Sequence, residues 1–368
     1  MKFKILVLPL LWATLIQGAA AQPTAPIKLA VIGLVHDHAR LLFPMLKGRT
    51  DYELVGVVEA DPDIIAYYEA HFQLDPSLFV PTFDALLAKT KVQAVAAFTS
   101  TAGHRGVVEE CAPLGIDVMM EKPMATDLDD ARAIAAEAAK GGIQVVVNFE
   151  TTWYPSNRLA FQMVNGAHAI GEIRKILVQD GNQGPKAIKT TPYFFKWLTD
   201  PDQGGGATRD FGCYGADLIT WLMKGARPIS VTALTQTLQP ETYTRVEDEA
   251  TIVLAYPSAQ GVIQASWNWP YGRKDMEIYG QTGALFVPSR DYVRIRRGDT
   301  AAQQMPAPPL SGPDVDQLAY LAEVVRGDLK PSGMSSIAMN MVVTEILDAA
   351  RRSASTGQRV DLPATPAW

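Results

Sequence analysis

The feature that most limits this chain is a run of six residues, Lys28-Leu-Ala-Val-Ile-Gly33, apolar nearly throughout and ending on a glycine. Runs of the same kind return at Glu53–Val58, Val92–Thr99, Ile116–Met120 and Ile143–Val147. A strand with one wet face alternates apolar and polar residues, whereas a strand that is apolar at almost every position must be covered on both faces. The intervening segments supply that cover. Helical patterns run from about His38 to Lys47, Pro62 to Phe72 and His104 to Leu114. Asp127 is placed to cap a further helix to Lys140, in which Leu128, Ala131, Ile134, Ala135 and Ala138 share one face. Strands alternating with helices imply an α/β domain on a parallel sheet.

The pattern changes near residue 150. Segments 172–179, 228–237, 246–255, 259–267, 274–279 and 284–296 read as strands, punctuated by Pro257-Ser258, Gly261, Gly272, Gly280 and Gly283. A largely antiparallel, open sheet is expected there. Helices are expected over Gly212–Met223, 313–326 and 335–354, and Ala301–Gly312 reads as a surface loop. The chain of 368 residues thus divides into a first domain over 27–148 and a second over 149–363.

Residues 1–21 stand apart. Lys2 and Lys4 precede the apolar run Ile5–Ile16, and small residues follow up to Ala19-Ala20-Ala21. This is the layout of a Sec-type signal peptide, with export to the periplasm or beyond as the expectation. The run is too short to span a bilayer, which takes ~20 residues. No membrane association is expected after cleavage. Losing the two lysines takes the formal charge from −6 to −8. That balance excludes a basic nucleic-acid footprint. Two cysteines cannot build a disulfide framework, and no Cys/His cluster has zinc spacing.

A strand, a glycine turn and a helix at the start of an α/β domain suggest dinucleotide binding. The usual G-x-G-x-x-G is here Gly33-Leu34-Val35-His36-Asp37-His38, which keeps only the first glycine. Val35 and His38 stand where glycines are expected, while His36 or His38 can add a donor to a phosphate. Glu59, at the end of the second strand, can accept from the ribose hydroxyls and would repel a 2′-phosphate, so NAD is expected over NADP. His36-x-His38 is also the beginning of a metal pair, but the sequence places no third ligand and no metal is expected.

Residues 116–126 include Glu121-Lys122-Pro123 at a strand end. Together with Thr99, His104, Gly204-Gly-Gly-Ala-Thr-Arg-Asp210-Phe-Gly-Cys-Tyr214-Gly-Ala-Asp217 and the closing Ser353–Pro363, this order of motifs resembles the Gfo/Idh/MocA oxidoreductase family. The resemblance covers about Ile27 to Pro363. It implies a Rossmann-like domain holding NAD(P), followed by a domain whose open sheet carries the substrate pocket and forms homo-oligomer contacts. It implies a sugar or polyol as substrate. It also places Thr99, His104, Glu121 and Lys122 beside the cofactor.

Oxidising a secondary alcohol needs a hydride acceptor, a base and positive charge for the developing alkoxide. Lys122 is the candidate cation, its pKa expected to fall through burial. Tyr214 is the candidate acid/base, its phenol expected to ionise more readily beside Lys122. Asp210, four residues earlier, can share its face and orient a substrate hydroxyl. Asp217 is a further candidate. Trp153 and Trp197 are expected to stack on sugar C–H faces, and Asn157 and Lys196 to bind hydroxyls. Two other functions are compatible with these residues. One is a redox-neutral glycosidase or lyase that oxidises its sugar transiently with bound NAD. The other is a sugar-binding protein without cofactor.

Overall fold

The computed structural model describes residues 25–365, so the expected signal segment lies outside the described residues. The first sheet holds β1 (Ile27–Ile32), β2 (Tyr52–Val58), β3 (Phe79–Val80), β4 (Ala94–Ala97), β5 (Asp117–Glu121) and β6 (Val145–Asn148). Their order is β3-β2-β1-β4-β5-β6, every pair parallel. The expected α/β class is therefore observed, with its topological switch between β1 and β4. Alternate residues serve opposite faces. Leu29, Val31, Ala94 and Ala96 enter one core, while Ala30, Ile32, Val95 and Ala97 enter the other. That is why the middle positions of these strands are apolar, with polar residues confined to their ends.

Helices α1 (Ala39–Leu46), α2 (Pro62–Phe72), α3 (Phe83–Leu87), α4 (His104–Cys111) and α5 (Leu128–Gly141) cover the sheet. Asp127 caps α5 as expected, accepting from the Asp130 N–H at 2.9 Å. Asp61 does the same for α2, whose first residue is Pro62.

Next come the short helices α6 (Pro155–Phe161), α7 (Pro192–Leu198) and α8 (Ala207–Asp210), then α9 (Gly212–Leu222). The second sheet has nine strands: β7 (Ile173–Gly181), β8 (Ser230–Gln236), β9 (Glu249–Ala255), β10 (Gln260–Ser266), β11 (Arg273–Gly280), β12 (Gly283–Ser289), β13 (Tyr292–Arg297), β14 (Gln303–Pro306) and β15 (Val360–Asp361). The order is β14-β13-β12-β11-β7-β10-β9-β8-β15, and only β7 with β10 is parallel. The stretch 284–296, expected as one strand, is a hairpin turning at Arg290-Asp291. Part of the expected surface loop pairs as edge strand β14.

Helix α9 is buried along its whole length against this sheet. A Cβ on Gly215 would stand 2.5 Å from Ile263 Cγ2, so the glycine sets how closely helix and strand approach. Helices α10 (Gln317–Arg326) and α11 (Ile337–Thr356) end the fold. Leu318, Leu321 and Val324 of α10 join the core of the first sheet, and Tyr52 donates to the Leu318 carbonyl at 2.7 Å. The late helix therefore clasps the early domain, crossing the division expected near residue 149.

Candidate active site

The C-terminal edge of the first sheet faces the second sheet across a cleft of about 760 Å³. Lys122, Asp210 and Tyr214 line it. Lys122 follows the last residue of β5, and its peptide to Pro123 is cis. Its Nζ donates to Asp210 Oδ1 at 2.6 Å and to the Asp210 carbonyl at 2.9 Å. It also lies 5.0 Å from the centre of the Tyr214 ring. The other Asp210 oxygen accepts from Trp267 Nε1 at 2.9 Å, which fixes the carboxylate between indole and ammonium.

Two electrostatic expectations are corrected. Burial does push the Lys122 ammonium down, but Asp210, Cys213 and Glu121 outweigh it, and its pKa ends above the ordinary value. Lys122 is a fixed charge here, not a base. Tyr214 is 1% exposed, and burial first, then Glu150, Cys213, Glu121 and Asp210, drive its pKa well upward. The phenol holds its proton.

The pattern reading missed a second cation at this phenol. Lys274 Nζ lies 3.2 Å from the Tyr214 hydroxyl and 4.3 Å from its ring centre. Its own counter-ion is Glu150, which also accepts from the Tyr154 hydroxyl. A signal was present: Lys274, Met276 and Ile278 fall on one face of β11, so a lysine occupies the inward side of a strand. Asp180, opposite Lys274 on β7, is fully buried with no hydrogen-bond partner, and burial raises its pKa well above the usual range.

None of the five expected substrate residues lines the cleft. Trp153 is buried, donates to Asn148 Oδ1 at 2.9 Å and packs edge-on against Tyr320. Asn157 donates to the Thr151 carbonyl and holds the start of α6. Lys196 is on the exposed side of α7. Asp217 is buried in α9 with both oxygens unpartnered, its carboxyl pushed well up by burial. Trp197 donates to the Val35 carbonyl at 3.1 Å and lies 5.6 Å from the His36 ring. It supports the glycine loop instead of meeting a sugar. Helical spacing brought Asp217 to the correct helix but could not say which way its face turned, and the short helix that carries Trp197 was not expected.

The residues expected around the dinucleotide form one connected group. Gly33 has φ +75°, and a Cβ there would meet Thr99 Cγ2 at 2.8 Å, so β1 and β4 close on each other at the switch point. Thr99 itself donates to the Ser100 carbonyl. His104 bonds the Met124 carbonyl through Nδ1 at 3.2 Å and braces the segment after Pro123. Glu59 accepts from the N–H groups of Leu34, Ala60 and Asp61 at 3.2, 2.9 and 3.0 Å, so it caps its own turn and the glycine loop. Asp37 points away to Thr191, whose hydroxyl and N–H donate to it at 2.5 and 3.1 Å. His38 Nδ1 pairs with Glu121 Oε2 at 2.8 Å, and Asn148 donates to Glu121 Oε1 at 2.8 Å.

His36, His38 and Glu121 bring three potential metal-ligand atoms within 4.8 Å of one another, a third ligand the sequence did not place. The group is largely satisfied internally. His36 Nδ1 accepts from the His38 N–H at 3.2 Å, and burial, then His38 and Lys122, keep the ring neutral. Its proton therefore sits on Nε2, which is buried and unpartnered. An orphaned N–H on this loop, a carbonyl of Val35 already taken up by Trp197, and a carboxylate at the end of β2 fit a dinucleotide.

Residues 27–149 match the oxidoreductase family with the NAD-binding Rossmann fold, and residues 159–286 match the GFO/IDH/MocA C-terminal domain. The chain belongs to the Gfo/Idh/MocA oxidoreductase family. It is 27% identical over 256 residues to trans-1,2-dihydrobenzene-1,2-diol dehydrogenase of Xenopus laevis, covering 67% of this chain and 74% of that one. It is 23% identical over 347 residues to inositol 2-dehydrogenase of Rhizobium meliloti (strain 1021), covering 90% and 96%. The structure of aldose-aldose oxidoreductase from Caulobacter crescentus, complexed with glycerol, superposes with a TM-score of 0.76 at 22% identity, covering 92% of this chain and all of the other.

Proposed function

We propose that this protein is an exported, NAD-dependent oxidoreductase acting on a secondary hydroxyl of a sugar or sugar derivative. The observation that carries the reading is the buried Lys122–Asp210 pair beside Tyr214 at the floor of the cleft. Glu59 would hold the adenosine ribose, and its charge favours NAD over NADP. The orphaned His36 Nε2–H would donate to a phosphate, with Lys122 at the nicotinamide end. When bound, the dinucleotide supplies the hydride acceptor or donor.

The chain's own residues supply the rest. The Lys122 ammonium donates to the reacting oxygen and stabilises alkoxide as it forms. Tyr214 gives its phenolic proton to that oxygen in the reducing direction. The phenolate left behind is stabilised by Lys122 and Lys274 until it is reprotonated. Asp210 positions Lys122 and can accept from a neighbouring substrate hydroxyl.

A redox-neutral cycle is a second reading, favoured by how the second domain fastens the cofactor loop. Trp197 holds Val35, Thr191 holds Asp37, and Ser100 donates to Gln203 at 2.7 Å. A retained dinucleotide suits a compartment with little NAD to exchange. The open second sheet, with Leu234 65% exposed, supports a homo-oligomer, which sedimentation would test.

The test of function is mass spectrometry of ligands released from protein purified from its native compartment. NAD in the released fraction, with sugar-driven formation of NADH, supports the oxidoreductase. Aglycone release without net NADH supports the redox-neutral cycle. Absence of NAD, with no change in melting temperature when NAD is added, would defeat both and leave a sugar-binding protein.

A further inference from the structure

The charges lining the cleft do not follow those of the whole chain. The sequence carries a net −6, yet the lining holds six lysines and arginines against four carboxylates. The four carboxylates are each matched: Asp210 with Lys122 at 2.6 Å, Asp275 with Arg273 at 2.6 Å, Asp37 with Arg40 at 3.6 Å, and Glu150 with Lys274. Among the described residues, Lys189 and Arg290 have no carboxylate within ion-pair distance. The adjacent Asp180 is fully buried and does not line the cleft.

Arg290 is also held in place. It sits at the turn between β12 and β13, and its carbonyl accepts from the Ser156 N–H at 3.1 Å. Its guanidinium lies 5.2 Å from the centre of the Tyr154 ring. Tyr154 in turn bonds Glu150, which bonds Lys274, which bonds Tyr214. One contact chain therefore joins a planar cation at the rim to the phenol at the floor. A guanidinium stacked on an aromatic ring keeps its fork of donors free for an anion and loses little freedom on binding one.

We infer that the substrate of this cleft is an anionic sugar, a uronic or aldonic acid, whose carboxylate is received by Arg290 with Lys189 while a secondary hydroxyl reaches Tyr214 and Lys122. The inference rests on the oxidoreductase reading for the hydroxyl end and on the unpaired cations for the carboxylate end. It narrows the sugar or polyol that the family resemblance implies.

The test is a thermal-shift comparison at matched ionic strength on the purified protein with whatever dinucleotide it carries. The probes are D-glucuronate, D-galacturonate and D-gluconate, each against glucose, galactose and myo-inositol. At least one carboxylate is expected to half-saturate the shift at about ten-fold lower concentration than its neutral counterpart, the worth of one charge-assisted contact. Arg290→Ala combined with Lys189→Ala, both on the surface, should erase that preference while leaving the unliganded melting temperature close to wild type. The inference is overturned if no carboxylate shifts the protein more than its neutral partner, or if the preference survives in the double variant. Dinucleotide content, measured separately, distinguishes the two levels. Bound NAD with a preference for neutral sugars sinks only the anionic substrate. A carboxylate preference in protein that neither carries nor takes up NAD sinks only the redox reading.

Discussion

Replacing Asp210 by asparagine tests whether Lys122 is the buried fixed charge described above. Lys122 is 5% exposed and Asp210 is its only carboxylate within 4 Å among the described residues. Asparagine keeps the shape and one acceptor but removes the counter-charge. Stripping one partner from a buried pair costs about 3–5 kcal/mol, which for a domain of this size lowers Tm by roughly 6 °C or more. The pH dependence is the sharper readout. In the wild type the folded pKa of Lys122 is raised, so its contribution is fully present below the unfolded lysine value and is lost as pH rises through the folded one. In the variant burial acts without Asp210, and the folded pKa falls below the unfolded value of about 10.4. The ammonium then destabilises the fold at neutral pH and ceases to do so once it loses its proton. Melting curves from pH 6 to 10 should show a gap between the two proteins that is widest near neutrality and narrows as pH rises. A gap that is absent, or equally wide at every pH, would refute the claim that Asp210 compensates a desolvated charge.

Tyr214→Phe should cut turnover by about a hundred-fold or more, the usual worth of a positioned acid/base, while the lost bond to Lys274 costs only about 1 kcal/mol in a chemical-denaturation assay. In Lys274→Met, Glu150 loses the partner that, against the pull of burial, holds its carboxyl at about 2. A depressed carboxylate stabilises above its unfolded pKa and loses that contribution as pH falls, so the stability gap between wild type and Lys274→Met should close from about pH 4.5 toward pH 2 in denaturant titrations. Trp197→Phe removes the N–H that holds the Val35 carbonyl, and about ten-fold weaker NAD binding by calorimetry, with sugar KM unchanged, is the expected split.

Much of the fold is written in local patterns. Continuous apolar strands, the caps at Asp61 and Asp127 and the turn glycines each act within a few residues, so period and composition report them directly. The switch-point glycine and Glu121-Lys122-Pro123 were legible for the same reason, since a strand end is a property of the strand. The hairpin at Arg290-Asp291 and the edge strand β14 were not, because pairing depends on a partner strand that local propensity does not name.

The side chains around the reaction centre divide along the same line. Sequence alone determined the parallel sheet and its C-terminal edge with Lys122, and named Asp210 and Tyr214 as candidates on a later segment. Only the tertiary structure decided which neighbours face them. It turned Trp153, Asn157 and Asp217 into the core and Lys196 into solvent, and bound Trp197 to the glycine loop. It brought Lys274 from β11 against a phenol 60 residues earlier in the chain. It also set the electrostatics, because a pKa is fixed by burial and by charges within a few ångströms, and these come from strands far apart in sequence. That is why Lys122 is held as a cation and Tyr214 keeps its proton, contrary to what their types and spacing suggested.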